Sequence, residues 1–298
     1  MRILLYGEDR NRATDGNIVQ GTEFLLKLKY PNAIIDYIQF QDFYVVAPEY
    51  FNSHIKYDKV VLCGTPWIWD KFYLSTKYRN WLTLKAAHPE ASIIMLGIGS
   101  CLNLDDIKSS LVREDTDIPF LKELTVGATV VVRDTLAHDI LSNAGVHSIL
   151  LPCPSFWCTI KWAPKTKNLL IWCDPRQSIS KCGWANDEEY NAYCEKFVDF
   201  YYKYNPNVYC VHENEKASAV MAGLPEPMLL GNLDESHEII RNSEYVLSGR
   251  VHCAVPAWVS GAITEIVAID SRAGAFIEGK ERLYYNYDSY LPAYLHII

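Results

Sequence analysis

The stretch Tyr245-Val246-Leu247-Ser248-Gly249-Arg250-Val251-His252 runs directly into Cys253-Ala254-Val255-Pro256-Ala257-Trp258. Tyr245–Leu247 reads as a short buried strand, Ser248-Gly249 as the turn that ends it, and Val255–Val259 as helical. In open parallel sheets ligands bind at such turns, beyond the carboxyl ends of the strands, where the free N–H groups of a helix start face a crevice. Gly249 permits close backbone approach or a positive φ. Arg250 adds a planar, permanently charged fork to an anion site. His252 is of the type that donates a proton near neutral pH. A lone histidine beside a surface arginine would be unremarkable, but Gly, Arg and His sharing one strand-to-helix turn point to function.

The same alternation extends in both directions. Arg2–Tyr6, Ile34–Ile38, Lys59–Cys63, Ser92–Leu96, Thr129–Val132 and Ser148–Leu151 read as strands. Helical patterns are predicted over Ile18–Lys29, Trp67–Ala87, Ile118–Leu124 and Thr135–Asn143. Near-continuous apolar runs of four or five residues separated by helices signal parallel sheets covered on both faces. Pro152–Lys167 breaks the rhythm with three prolines, as an interdomain connection does. Strands then resume at Asn168–Trp172, Val208–Val211 and Glu265–Ile269, with helices over Glu188–Lys203 and Ser236–Arg241. The expectation is an α/β chain of two Rossmann-like domains with a central cleft. Residues 1–160 form the first and residues 161–298 the second, which carries a C-terminal helix over the aromatic and apolar Ser289–Ile298.

Composition narrows the class. The 298 residues are 49% hydrophobic and 21% charged, as a folded globular chain requires. A formal net charge of −8 argues against a protein whose main task is gripping a nucleic-acid backbone, so no nucleic-acid partner is expected. The cysteines number nine, form no CxxC and sit mostly in apolar runs, which reads as buried thiols in a reducing compartment. No Cys and His set has zinc spacing, and neither a metal nor a cofactor is expected. No apolar run reaches the ~18 residues of a spanning helix, so the expected location is the cytoplasm.

Other strand ends supply further candidates. Val130-Val131-Val132 runs straight into Arg133-Asp134, either as part of the cleft or as an ordinary exit from the sheet with Asp134 or Thr135 capping the next helix. Gly7-Glu8-Asp9 and Asp15-Gly16-Asn17 follow the first strand, where a doubly wound domain holds a ligand loop, and Asn17 is taken from it as an acceptor contact. Trp67 and Trp69 follow a strand and either stack on a sugar ring or pack in the core. Arg176, in Asp174-Pro175-Arg176, is a further anion contact facing the cleft.

At these strand ends the sequence resembles the polysaccharide pyruvyl transferase family. The resemblance is carried by Val131-Val132-Arg133-Asp134 with Ala144-Gly145-Val146, by Ser248-Gly249-Arg250-Val251-His252 with Pro256-Ala257 and Gly261, and by Ile269-Asp270-Ser271-Arg272. It covers roughly residues 58 to 275. It implies a GT-B-like arrangement, a phosphoenolpyruvate donor and transfer of pyruvate as a ketal onto a saccharide, a sugar-nucleotide or a lipid-linked sugar. In that reading Arg133 and Arg250 hold the donor, with Ser248 and Gly249 beside them, and His252 is the general acid. The chain departs from the family pattern at Gly21-Thr22-Glu23, at Cys63-Gly64-Thr65-Pro66 and at Cys153-Pro154, where the family usually carries Gly-Asp-Glu, a more glycine-rich turn and Asp-Pro. A nucleotide-sugar glycosyltransferase of similar architecture, and a non-catalytic saccharide- or anion-binding member of the family, are the alternative readings.

Overall fold

The computed structural model describes residues 1–40, 55–69, 71–102, 117–161, 163–176 and 187–298, the last without the side chain of residue 287. Two parallel sheets make up the frame. The first contains β1 (Arg2–Gly7), β2 (Ile34–Gln39), β3 (Lys59–Cys63), β4 (Pro66–Ile68), β5 (Ser92–Ser100), β6 (Ala128–Val132) and β7 (Ile149–Leu150). Its order is β2-β1-β3-β5-β6-β7, with β4 paired to the end of β5. The second contains β8 (Lys167–Trp172), β9 (Asn207–Cys210), β10 (Met228–Leu229), β11 (Ser243–Ser248) and β12 (Ile263–Ile266), in the order β10-β9-β8-β11-β12. Both are Rossmann-like, and together they give the GT-B-like α/β architecture.

Strand periodicity explains why both faces of each sheet are covered. In β1, Leu4 and Tyr6 face one core with Val60, Leu62, Met95 and Val130. Ile3 and Leu5 face the other, with Val61, Ile94, Leu96 and Val131. The first core is closed by α2 (Thr76–Ala87), α3 (Asp117–Thr125) and α4 (Thr135–Asn143), through Trp81, Leu124 and Ile140. The second is closed by α1 (Gly16–Lys29), through Ile18, Leu25 and Leu26. In β8 the split repeats, with Leu170 and Trp172 on one face and Leu169 and Ile171 on the other.

Two features differ from the sequence reading. The helix expected over Trp67–Ala87 is three pieces: β4, a 3₁₀ turn at Phe72–Leu74, and α2. Lys71 has φ 55°, which breaks any continuous helix, and Ser75 then caps α2 by accepting from the Tyr78 N–H at 3.2 Å. The last helix is the second. It starts at Gly274, runs as α9 (Gly274–Ile297) with a kink at Asn286, and leaves the second sheet. Phe276, Leu283, Tyr294 and Ile298 pack into the core beneath the first sheet. The Tyr30 hydroxyl donates to the Ile298 carbonyl at 2.7 Å, and the Tyr294 hydroxyl to the Pro152 carbonyl. The apolar face of α9 thus covers the side of β1 and β3 that α1 also faces.

α8 (Val251–Val259) joins that same core through Val251, Ala254 and Val255, while Cys253 and Ala257 face the second sheet. The helix that begins with the Arg250 turn is thus packed on both halves.

Candidate active site between the two sheets

In each sheet the strand order reverses once, between β1 and β3 in the first and between β8 and β11 in the second. A crevice opens beyond the carboxyl ends of strands at such a reversal. Here the two crevices face each other across a cleft of about 590 Å³. Glu8 after β1, Thr65 after β3, Asp174 after β8 and Gly249-Arg250 after β11 all line it.

The turn after β11 is built by close packing. Ser248 is fully buried; its hydroxyl donates to the Arg250 carbonyl at 2.9 Å and accepts the Arg250 N–H at 3.0 Å. Ser248 thus shapes the turn from inside. Gly249 is required for approach, not for a positive φ: an added Cβ would collide with the Tyr193 hydroxyl and lie 2.8 Å from Cys173 Cβ. Arg250 caps α8 and pairs with the fully buried Glu215. Glu215 also accepts backbone N–H groups from Asp174 at 3.2 Å, Val211 at 3.1 Å and His212 at 3.0 Å. Burial works against the Arg250 charge, but neighbouring Cys173 and Glu215 more than offset it and raise its pKa. α6 (Lys216–Met221) starts just beyond this carboxylate.

His252 sits in a row that runs from the cleft inward. Its Nδ1 donates to Asp15 Oδ1 at 2.8 Å, and Asp15 lines the cleft. Its Nε2 lies 3.1 Å from Arg133 Nη1. Guanidinium nitrogens only donate, so in this contact Nε2 is the acceptor and the ring is the Nδ1–H tautomer. Burial disfavours the imidazolium, yet the Asp15 hydrogen bond and charge, with Cys153, prevail and leave the His252 pKa raised. Asp15 moves the opposite way: burial would raise it, and His252, Arg12 and Lys77 hold its carboxyl well below the usual range.

Arg133 is fully buried behind His252 and does not line the cleft. Among the described residues its Nε and Nη2 have no hydrogen-bond partner, and Asp134 beside it is occupied elsewhere. Asp134 caps α4 by accepting from the Ala137 N–H at 2.8 Å and takes the Ser100 hydroxyl at 2.8 Å. A direct donor contact from Arg133, expected from the sequence, would need the side chain to pass His252.

The remaining candidates separate. Trp67 is fully buried in the core and edge-on to Phe40, which answers its two readings in favour of packing. Trp69 lines the cleft. Asn17 lies beneath the site instead of facing an acceptor. Its amide donates to the His252 carbonyl at 3.0 Å and to the Thr14 carbonyl at 3.1 Å, while its oxygen accepts from His237 Nε2 at 2.6 Å. His237 belongs to α7 (Leu233–Arg241), so Asn17 ties the two halves together. Arg176 is outside the cleft lining. It pairs with Asp174 at 3.2 Å, with its guanidinium 4.6 Å from the Tyr190 ring of α5 (Asp187–Tyr204).

Five residues that complete the site were not picked as candidates. Arg12, Lys77 and Arg272 bring cations to the cleft, Asp15 brings the carboxylate on His252, and Glu215 holds Arg250. Arg272 is held by Asp270 with Nε 2.8 Å from Oδ1. Lys77 pairs with Glu8, and Arg12 reaches both Asp15 at 3.7 Å and His212 at 3.4 Å. Asp15 and Arg272 were visible within the ligand loop and the Ile269–Arg272 segment. Arg12 and Lys77 carried no local signal. Among the described residues no cluster of His, Cys, Asp or Glu has a metal-holding arrangement, and no helix is long and apolar enough to cross a membrane.

A cleft with cations from both walls, a helix start and a carboxylate-backed imidazole can bind a small anion and exchange a proton with it. The family model for polysaccharide pyruvyl transferase matches residues 15–261. Comparison with curated proteins gives no match. Among solved structures, an α-glucosyltransferase determined with UDP and DNA is 10% identical with a TM-score of 0.52, covering 100% of this chain and 95% of that one. The UDP-GlcNAc 2-epimerase of Methanocaldococcus jannaschii is 11% identical with a TM-score of 0.46, covering 94% and 92%. At 10% identity the likeness to the glucosyltransferase is one of fold.

Proposed function

This chain belongs to the polysaccharide pyruvyl transferase family, and we propose that it moves pyruvate from phosphoenolpyruvate onto a pair of saccharide hydroxyls as a ketal. The observation that carries this is one turn of chain that puts Arg250 at the cleft and His252 two residues on, with Asp15 at 2.8 Å on its cleft side. Phosphoenolpyruvate is small and highly anionic, and it suits Arg250, Arg272 and the α8 start on one wall with Arg12 and Lys77 on the other.

In this reading His252, as the imidazolium, delivers its Nδ1 proton, which it donates to Asp15 in the resting site, to the terminal methylene carbon as a sugar hydroxyl adds to the adjacent carbon. The proton of that hydroxyl returns to the imidazole. Phosphate then leaves as the second hydroxyl closes the ring, its proton departing with the phosphate. The charge that develops on the leaving phosphate falls to the arginines, which are already fixed by Glu215 and Asp270 and need no reorganisation. Trp69 on the first-sheet wall is the aromatic surface available to the sugar.

The test is a calorimetric titration of wild type and Arg250→Ala with phosphoenolpyruvate and with uridine diphosphate, followed by phosphate release over a sugar panel. Phosphoenolpyruvate binding that Arg250→Ala abolishes, with phosphate release on a sugar, is the expected result. Binding of uridine diphosphate alone would overturn it in favour of nucleotide-sugar transfer. Ligand binding without turnover, unaffected by His252→Ala, would identify a non-catalytic member.

A further inference from the structure

Behind His252, away from the cleft, two donors converge on one sulfur. Arg133 Nη1 lies 3.8 Å from Cys153 Sγ, and the Ser155 hydroxyl donates to the same atom at 3.1 Å. His252 Nε2, which accepts from Arg133 in the neutral ring, faces the same sulfur. Cys153 and Arg133 are both fully buried. Among the described residues Arg133 Nε and Nη2 have no hydrogen-bond partner and no carboxylate is paired with this guanidinium, Asp134 acting on it only through its charge. A buried guanidinium with no directly paired anion is strongly disfavoured. Two donors aimed at the sulfur, one of them a permanent cation, stabilise its anion.

We propose that Cys153 is a thiolate in the resting protein and acts as a positioning residue, holding Arg133 in place and accepting the His252 Nε2–H when the imidazole carries its second proton. The inference rests on the reading of His252 as the acid. Without the sulfur anion, a doubly protonated His252 would point Nε2–H at the Arg133 guanidinium 3.1 Å away, donor against donor. With it, the ring has an anion at each nitrogen, Asp15 on one side and Cys153 on the other. The imidazolium is then a stable ground state with Nδ1–H toward the substrate.

The electrostatics agree. Burial would raise the Cys153 thiol, but the Arg133 charge and the His252 hydrogen bond pull it down to about 6. The other titratable groups facing the sulfur respond to its charge. Burial first and the Cys153 charge second push Cys158 up to about 12, and the same two causes raise Tyr294 of α9 while Arg133 opposes them. Asp15 acts on the sulfur only through His252. Cys153 cannot be reached from solvent, so its role is internal to the site.

Thiolate absorbance in the ultraviolet, titrated from about pH 5 to about pH 10, tests this without substrate. In a Cys182→Ser background, the difference between that protein and its Cys153→Ser variant should show about one thiolate per chain at neutral pH, with a midpoint near 6. No difference below about pH 8.5 would overturn the proposal. If Cys153→Ser does not fold, the titration of the background protein alone shows the same early step or its absence. Cys153→Asp restores an anion and should keep the phosphoenolpyruvate affinity and the alkaline limb of the pH–rate profile. Cys153→Ser should weaken affinity about tenfold and move that limb to lower pH; a folded Cys153→Ser with neither change would also overturn it. Failure of phosphoenolpyruvate to bind any variant would sink the functional reading while leaving the thiolate titration to stand or fall by itself.

Discussion

Asp15 Oδ1 and His252 Nδ1 lie 2.8 Å apart although 237 residues separate them in the chain. The contact spans the two halves, so the acid of the site exists only when both sheets are docked. It also fixes which ring nitrogen holds the deliverable proton.

A first prediction follows for Asp15→Asn. Burial lowers the His252 pKa and Asp15, together with Cys153, outweighs it, so removing the carboxylate must lower it. The acid form of His252 exists below its pKa, and activity that needs it is lost as pH rises through that value. The alkaline limb of kcat/KM should therefore move to lower pH in Asp15→Asn, with kcat at neutral pH reduced about 10²-fold, within the range for lost acid–base catalysis. A pH–rate profile with an unmoved alkaline limb would remove Asp15 from this role.

Arg250 and Glu215 should fail differently when truncated. Glu215 is fully buried and serves Arg250 and three backbone N–H groups at once. Glu215→Ala strands all four and should cost about 3–5 kcal/mol. Arg250→Ala leaves the carboxylate its three backbone donors and should cost less, while abolishing phosphoenolpyruvate binding. Denaturant melts of both variants beside ligand titrations separate the two effects; equal destabilisation would contradict the asymmetry.

Gly249→Ala tests close approach against backbone freedom. Its new Cβ meets the Tyr193 hydroxyl and Cys173 Cβ, and overpacking of this kind costs about 1–3 kcal/mol. Removing the hydroxyl in Tyr193→Phe should recover part of that cost in the double variant, because the two groups touch. Purely additive losses would mean that the strain lies elsewhere.

What the sequence made legible, and what it did not, follows from how far each signal reaches. The alternation of apolar strands with helices is local and survives folding nearly residue for residue, as at Lys59–Cys63 and Thr135–Asn143. The Ser248–His252 turn is equally local: strand end, glycine and helix start are contiguous. By contrast Asp15, Arg12 and Lys77 reach the site through the loop and helix that follow β1 and β4, and no spacing rule links them to residue 252. Trp67 and Trp69 show the limit most clearly. They are two positions apart, yet Trp67 lies in β4 and is sealed in the core while Trp69, in the bend just past that strand, reaches the cleft, and burial of that kind is decided by Phe40 and the neighbouring strands. The packing of α9 under the first sheet was hidden for a similar reason, since an apolar helix face does not say which sheet it will cover.

The two tryptophans therefore predict opposite phenotypes. Trp67 contacts Phe40 edge-on and belongs to the same core as Tyr6 and Trp81. Trp67→Ala opens a cavity there and should destabilise the protein by about 3–5 kcal/mol, read as a lower denaturant midpoint. Trp69→Ala removes a cleft wall and should leave that midpoint within about 1 kcal/mol. Its effect belongs in the acceptor KM, raised severalfold, with the phosphoenolpyruvate affinity unchanged because the anion contacts lie on other elements. A Trp69→Ala variant with normal acceptor KM and reduced stability would place it with Trp67 in the core and leave the sugar without an aromatic platform on this wall.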